Sequence, residues 1–252
     1  IDYVLTVSVS IGAGALAVTS ALSASGHAVS QNLNIVLSLI FIVMLTFGNL
    51  RGIRESGTIF AIPTYLFIVG LSALIVFGLF QAFNGTLQPA SPPPVLHAAQ
   101  PLTLWLILRA FSAGSVAMSG TEAISNGVTF FEKPEPKNAA RTLIIMAALL
   151  GAFFLGISYL AIHMGLVPPA ENGGETIISQ VARSVFGTNA AYIIFQVATM
   201  GILVIAANTA FAGFPRLASI MAHDNYMPHQ FMDRGDRLAY STGIIALGAI
   251  AA

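Results

Sequence analysis

Glu122 has the most chemistry to offer in this sequence, because it lies inside a long apolar stretch where ionisable side chains are rare. Around it, Phe111–Gly127 reads FSAGSVAMSGTEAISNG and brings Ser112, Gly114, Ser115, Ser119, Gly120 and Thr121 close together. In hydrocarbon a backbone leaves the helical ladder only where protein or water satisfies its N–H and C=O groups. Glycines and hydroxyls in mid-span therefore point to a helix interruption, expected near Phe111–Ser115. The freed carbonyls of one half-helix suit a cation, and the freed N–H groups of the other suit a carboxylate. A carboxylic acid at such a break can hold a cation, carry a proton, or do each in turn. Desolvation favours its protonated form and a bound cation favours its ionised form. The plainer reading makes Glu122 a helix cap or half of an ion pair, with Gly114 and Gly120 allowing close helix packing. Arg109 is the only base in that segment; a continuous helix would hold it about 20 Å from Glu122, too far for a direct pair.

A second set opens the chain. Asp2, Thr6 and Ser10 recur every four residues, so they share one helical face with Tyr3 beside them. That is a stripe of oxygen ligands of the kind hard monovalent cations take. The alternative is an interfacial N-cap at Asp2 and a headgroup-level aromatic at Tyr3. His163 is expected near an outer helix end, and His223 and His229 in a solvated inner loop. No phosphate-binding G-x-x-x-x-G-K-[ST], H-E-x-x-H or G-x-S-x-G motif occurs. A membrane enzyme would need a paired nucleophile and base or a metal cluster, and Glu122 has neither a His nor a second acid at helical spacing on its segment. A channel fits less well than a carrier, because an interrupted helix is a carrier's device.

The elements that must position these residues are membrane helices. The chain has 252 residues, of which 56% are hydrophobic and 8% charged, with a mean hydropathy of +0.83. Soluble domains carry roughly a quarter charged residues. The formal net charge is zero, which gives nucleic acid nothing to hold, and the absence of cysteine excludes disulfides and thiolate metal sites. A spanning helix needs about 20 residues. Apolar segments run at Ile1–Ala24, Leu33–Phe47 (extending to Gln31 and Leu50 to reach spanning length), Thr58–Phe83, Leu102–Phe131, Thr142–Leu166 and Ala190–Phe214, with the start of another at Tyr240–Ala252. None alternates with period two, so an all-α polytopic protein is expected rather than a barrel. The amphipathic run Thr176–Phe186 predicts a short helix lying on the outer surface, and the proline-rich Gln88–Leu96 a stiff extended connection.

Basic residues orient the helices. Gly48–Gly57, Glu132–Arg141 and Pro215–Leu238 hold Arg51, Arg54, Lys133, Lys137, Arg141, Arg216, Arg234 and Arg237, whereas the intervening connections hold only Arg183. The positive-inside rule then makes those three loops cytoplasmic. Residue 1 opens directly into an apolar run and the last run stops at Ala252, so the whole of 1–252 reads as one partial transport domain cut from a longer chain.

FSAGSVAMSGTEAISNG followed by EKPEPKNAARTL, with GNLRGIRESG and RLASIMAHDNYMP, resembles the amino acid–polyamine–organocation transporter superfamily. The resemblance implies a LeuT-like core of ten helices in two inverted repeats, of which this chain would supply about the third to the ninth, with the sixth helix broken around Ser112–Glu122. Asp2-Tyr3-Val4-Leu5-Thr6 and Ser119-Gly120-Thr121-Glu122 look most like the KUP-type potassium–proton symporters of bacteria, the KimA-like branch. That resemblance implies K+ ligands at Asp2, Tyr3, Thr6, Ser10, Ser119 and Glu122, with Ser119 standing where a threonine is familiar. The expected function is potassium import by proton symport, with Glu122 coupling the proton. The expected alternative is an amino-acid permease that uses the freed backbone groups around Ser112, Gly114 and Thr121. K+ and H+ would be substrates, with no resident cofactor. The expected setting is the lipid bilayer of the plasma membrane, and a homodimer is compatible with this reading.

Overall fold

The computed structural model describes residues 1–27, 29–51, 57–89, 101–115, 121–167, 175–232 and 240–252. Nine α-helices are present among them: α1 (Asp2–Ala24), α2 (Gln31–Leu50), α3 (Gly57–Phe83), α4 (Leu104–Gly114), α5 (Thr121–Asn126), α6 (Glu135–His163), α7 (Ile177–Phe186), α8 (Ala190–His223) and α9 (Ser241–Ala251). Five of these, in α1, α2, α3, α6 and α8, are long and apolar enough to cross a bilayer. The chain is a multi-pass α-helical membrane protein.

Helix limits follow the apolar runs where polar and apolar boundaries coincide, and depart from them elsewhere. Helix α2 takes its longer limits, Gln31 to Leu50, because Ser30 caps it by accepting from the Asn32 N–H at 3.1 Å. Helix α6 begins seven residues before the apolar run, at Glu135, whose carboxylate suits the positive end of a helix. Helix α8 continues nine residues past Phe214 to His223 and carries Pro215 in its interior, so the first part of the expected loop Pro215–Leu238 is helical. The missing Pro215 N–H costs one ladder bond. In compensation, Ala218, Ser219 and Ala222 beyond it are buried.

The chain divides into two compact units, 1–91 with 160–252, and 92–159. In the first, α1 and α8 make the most extensive pairing. Tyr3 lies against Gly213, Gly14 against Met200 and Leu203, and Ser20 against Tyr192, so the pair is antiparallel. Small residues set the approach, as expected where lipid removes the hydrophobic drive between helices and close packing has to replace it. A Cβ at Gly70 would sit 3.2 Å from Phe195, one at Gly201 would sit 3.3 Å from Pro63, and Gly248 faces Thr46 Oγ1. Val7, Ile11, Ile42, Ala207, Phe211, Ile244 and Leu247 form the core between α1, α2, α8 and α9. Ser8 Oγ donates to the Ala251 carbonyl at 2.9 Å and ties α9 to α1.

A side-chain amide pair also crosses this unit among the apolar contacts. Asn49 Nδ2 donates to Asn208 Oδ1 at 2.8 Å and to the Leu45 carbonyl at 2.9 Å, joining α2 to α8. Interhelical bonds in membranes contribute about 0.6 to 2 kcal/mol. Asn208→Leu is therefore expected to lower the apparent melting temperature of the purified protein in detergent measurably, while Asn49 keeps its bond to Leu45.

The second unit holds α4, α5 and most of α6. Thr103 caps α4 by accepting from the Leu106 N–H at 3.2 Å. At 11 residues, α4 is about 16 Å long, roughly half the hydrocarbon thickness. A 3-10 turn at Val128–Phe130 follows α5, and Asn138 Nδ2 donates to the Glu132 carbonyl at 2.9 Å, fastening the approach to α6.

Candidate functional site

The two sets of chemistry-bearing residues fall on different units. Asp2, Tyr3, Thr6 and Ser10 stand on α1 in the first; Ser112, Gly114, Thr121 and Glu122 stand on α4 and α5 in the second.

On α1, Asp2 is exposed in the first turn, at the positive end of the helix dipole. Tyr3 has a packing role that its sequence does not announce. Its ring meets Phe214 edge to face, with centroids 6.3 Å apart at 66°, and it lies over Gly213 of α8. A Cβ added at Gly213 would come 2.8 Å from Tyr3 Cε1 and 3.1 Å from its Oη. Glycine at 213 therefore sets where the phenol oxygen stands. Thr6 and Ser10 are half-buried, and neither hydroxyl makes a hydrogen bond among the described residues, whereas the intervening Ser8 is spent on Ala251. Thus α1 carries two uncommitted hydroxyls on the face of Asp2. Gly213→Ala should displace the Tyr3 ring while the helices stay packed. If Tyr3 Oη is a ligand, the expected result is weaker half-saturation for the bound substrate with little change in melting temperature. Unchanged half-saturation would remove Tyr3 from the site.

In the second unit, the backbone remains helical through Phe111–Gly114, and Ser115 still has helical dihedrals. The interruption expected near Phe111–Ser115 falls where α4 ends, with Gly114 its last residue and Ser115 its C-cap, and the next described helix, α5, begins at Thr121. Ser115 Oγ donates to the Ser112 carbonyl at 2.6 Å, using one of the carbonyls at the end of α4. Ser112 and Gly114 are exposed, and no described atom lies within 4 Å of a Cβ built at Gly114. Thr121 is half-buried and Glu122 is the second residue of α5; the Glu122 side chain, together with Ser119 and Gly120, lies outside the described residues. Arg109 is exposed on α4; His223, expected in a loop, is the exposed last residue of α8, and His229 is exposed in the 3-10 turn His229–Phe231.

Two polar positions on α8 escaped the sequence reading. Asn208 is buried in the pair with Asn49, and Thr209 is exposed in mid-helix with its hydroxyl on the Ala206 carbonyl at 2.7 Å. Two adjacent polar residues within the apolar run Ala190–Phe214 were the available signal. No group of three or more His, Cys, Asp or Glu suited to a metal is present among the described residues.

Spanning helices packed through small residues, and in the second unit a half-length helix carrying polar side chains, are features that membrane transporters use. All of residues 1–252 match the family model described as amino acid permease, and the chain belongs to that family. It is also 46% identical over 249 residues to the potassium transporter KimA of Bacillus subtilis strain 168, an alignment covering 98% of this chain and 40% of that protein. The chain thus spans less than half the length of that relative. Both matches are to transport proteins, and neither supports a membrane enzyme.

Proposed function

We propose that this chain is part of the transport core of a potassium importer driven by proton symport. The observation that carries the reading is the 46% identity to a potassium transporter across nearly the whole chain. The α1 face supports it, since Asp2, the phenol of Tyr3 and the uncommitted hydroxyls of Thr6 and Ser10 are oxygen donors on one helix. Asp2, Tyr3, Thr6, Ser10, Ser119 and Glu122 would supply K+ ligands, and Ser112, Gly114 and Thr121 would border the path at the half-helix. Glu122 would be the carboxylate that couples the proton to K+ movement. K+ and H+ are then substrates, and the cycle asks for no resident cofactor. The basic stretches Gly48–Gly57, Glu132–Arg141 and Pro215–Leu238 would face the cytoplasm, with the protein in the plasma membrane.

The description of the family as amino acid permease favours one competing reading, an amino-acid permease on the same scaffold. Competition in proteoliposomes of the full-length parent protein separates the two. Uptake of radiolabelled rubidium that is diluted by K+ and indifferent to amino acids is expected. Uptake of a labelled amino acid that is lost on acetylating its amine, without rubidium uptake, would transfer the site to the permease.

A further inference from the structure

We infer that α7 is a fixed brace that ties α1, α3 and α8 together at one end of the first unit, so that it travels with them rather than swinging as a flap. Each of those three helices holds α7 at a different point. At its start, the Thr176 N–H donates to Ser20 Oγ of α1 at 3.3 Å. In its middle, the fully buried Ser179 hydroxyl lies 2.7 Å from Tyr192 Oη and receives Gln196 Nε2 at 2.5 Å, both from α8. At its end, Gln81 Nε2 of α3 donates to the Val185 carbonyl at 3.2 Å.

The anchors are themselves joined. Gln196 Nε2 also donates to Tyr192 Oη at 3.1 Å, and Tyr192 Oη reaches the Ser20 carbonyl at 3.3 Å, which links α8 to α1 beneath α7. Apolar contact follows the same line: Val181 and Ala182 are fully buried, and Val185 lies 3.2 Å from a Cβ built at Gly78 of α3. The α7 segment is stiffened within itself as well. Arg183 pairs with Glu175 at 2.8 Å, and Glu175 Oε1 accepts from Ser179 at 2.8 Å.

Lifting α7 would break these anchors together, and would bare an apolar face along with the buried polar groups of Ser179, Tyr192 and Gln196. Segments that open in function are drawn instead from those with few buried contacts. The inference rests on the packing of one unit and holds whichever ion is carried.

Two measurements on the full-length parent protein in lipid test it. Hydrogen exchange of the unmodified protein reads the brace directly. Amides of Ile177–Phe186 should exchange about as slowly as those of α8 between Ala198 and Ala210, with and without K+. Exchange about a hundredfold faster than α8, or a change of that size on adding K+, would overturn the brace. The second is a Ser20→Cys, Thr176→Cys pair, in a stretch with no cysteine of its own. Rubidium uptake by the oxidised, cross-linked pair should stay within about twofold of the reduced pair, whereas a loss of about tenfold that a reductant reverses would make α7 a moving part. A pair that is inactive when reduced speaks against the variant or the transport reading. The exchange measurement then decides the brace alone.

Discussion

Replacing Glu122 by glutamine should weaken rubidium uptake by the full-length parent protein about ten- to a hundredfold and flatten its dependence on outside pH. The size follows from the charge that is lost: a contact to a charged group contributes about 1.5 to 3 kcal/mol, and each 1.4 kcal/mol is tenfold in affinity. The change in pH dependence follows from the chemistry. Glutamine keeps the shape and one carbonyl oxygen but cannot take up or release a proton. Backbone position favours this role, since Glu122 stands in the short helix α5, beyond the end of a half-length α4. The measurement is initial uptake by proteoliposomes over a range of outside pH. Equal uptake with equal pH dependence would remove Glu122 from the coupling.

Gly243→Val should destabilise the protein by about 1 to 3 kcal/mol, the usual cost of overpacking. Gly243 is buried on α9, and a Cβ there would stand 2.8 Å from Pro215 Cβ and 2.9 Å from Pro215 Cα. A flexible side chain could withdraw, but a proline in the middle of α8 cannot, because α8 is held along its length by α1 and α3. The displaced partner must therefore be α9. Ile244 and Leu247 would then leave the core they share with Ile11 and Phe211. Gly151→Ala, where no described atom lies within 4 Å, is the comparison and should not lower stability. Melting in detergent, followed by loss of the monodisperse protein, reads both; similar midpoints for the two variants would contradict this account of the α8–α9 contact.

Much of the architecture was legible because hydrocarbon demands long apolar helices, and α1, α3 and α9 start and stop where their apolar runs do. Hydropathy reports which residues prefer lipid, however, and not which residues are helical. The polar first turns of α6, Glu135 to Arg141, were therefore read as loop. Pro215 was read as a stop, yet α8 runs through it, with Ala218 and Ala222 buried beyond. Amphipathic spacing exposed α7, but its anchors on Ser20, Gln81, Tyr192 and Gln196 depend on contacts across as many as 156 positions, which no local pattern contains. The candidate site divides in the same way. Residue types and four-residue spacing brought out Asp2, Thr6 and Ser10, whereas the seat of Tyr3 on Gly213 needed the register of α1 on α8. The end of α4 was legible from residue types, since the glycine and serine content around Phe111–Ser115 marks the neighbourhood in which the helix stops at Gly114.

Uptake by living cells tests the central claim most directly. The full-length parent protein would be expressed in cells that lack their own potassium uptake, and growth and rubidium entry followed at limiting K+, with and without a proton uncoupler. Rescue of growth with uncoupler-sensitive rubidium entry is the predicted result. A membrane-inserted protein that neither rescues growth nor admits rubidium, yet accumulates labelled amino acids, would contradict it.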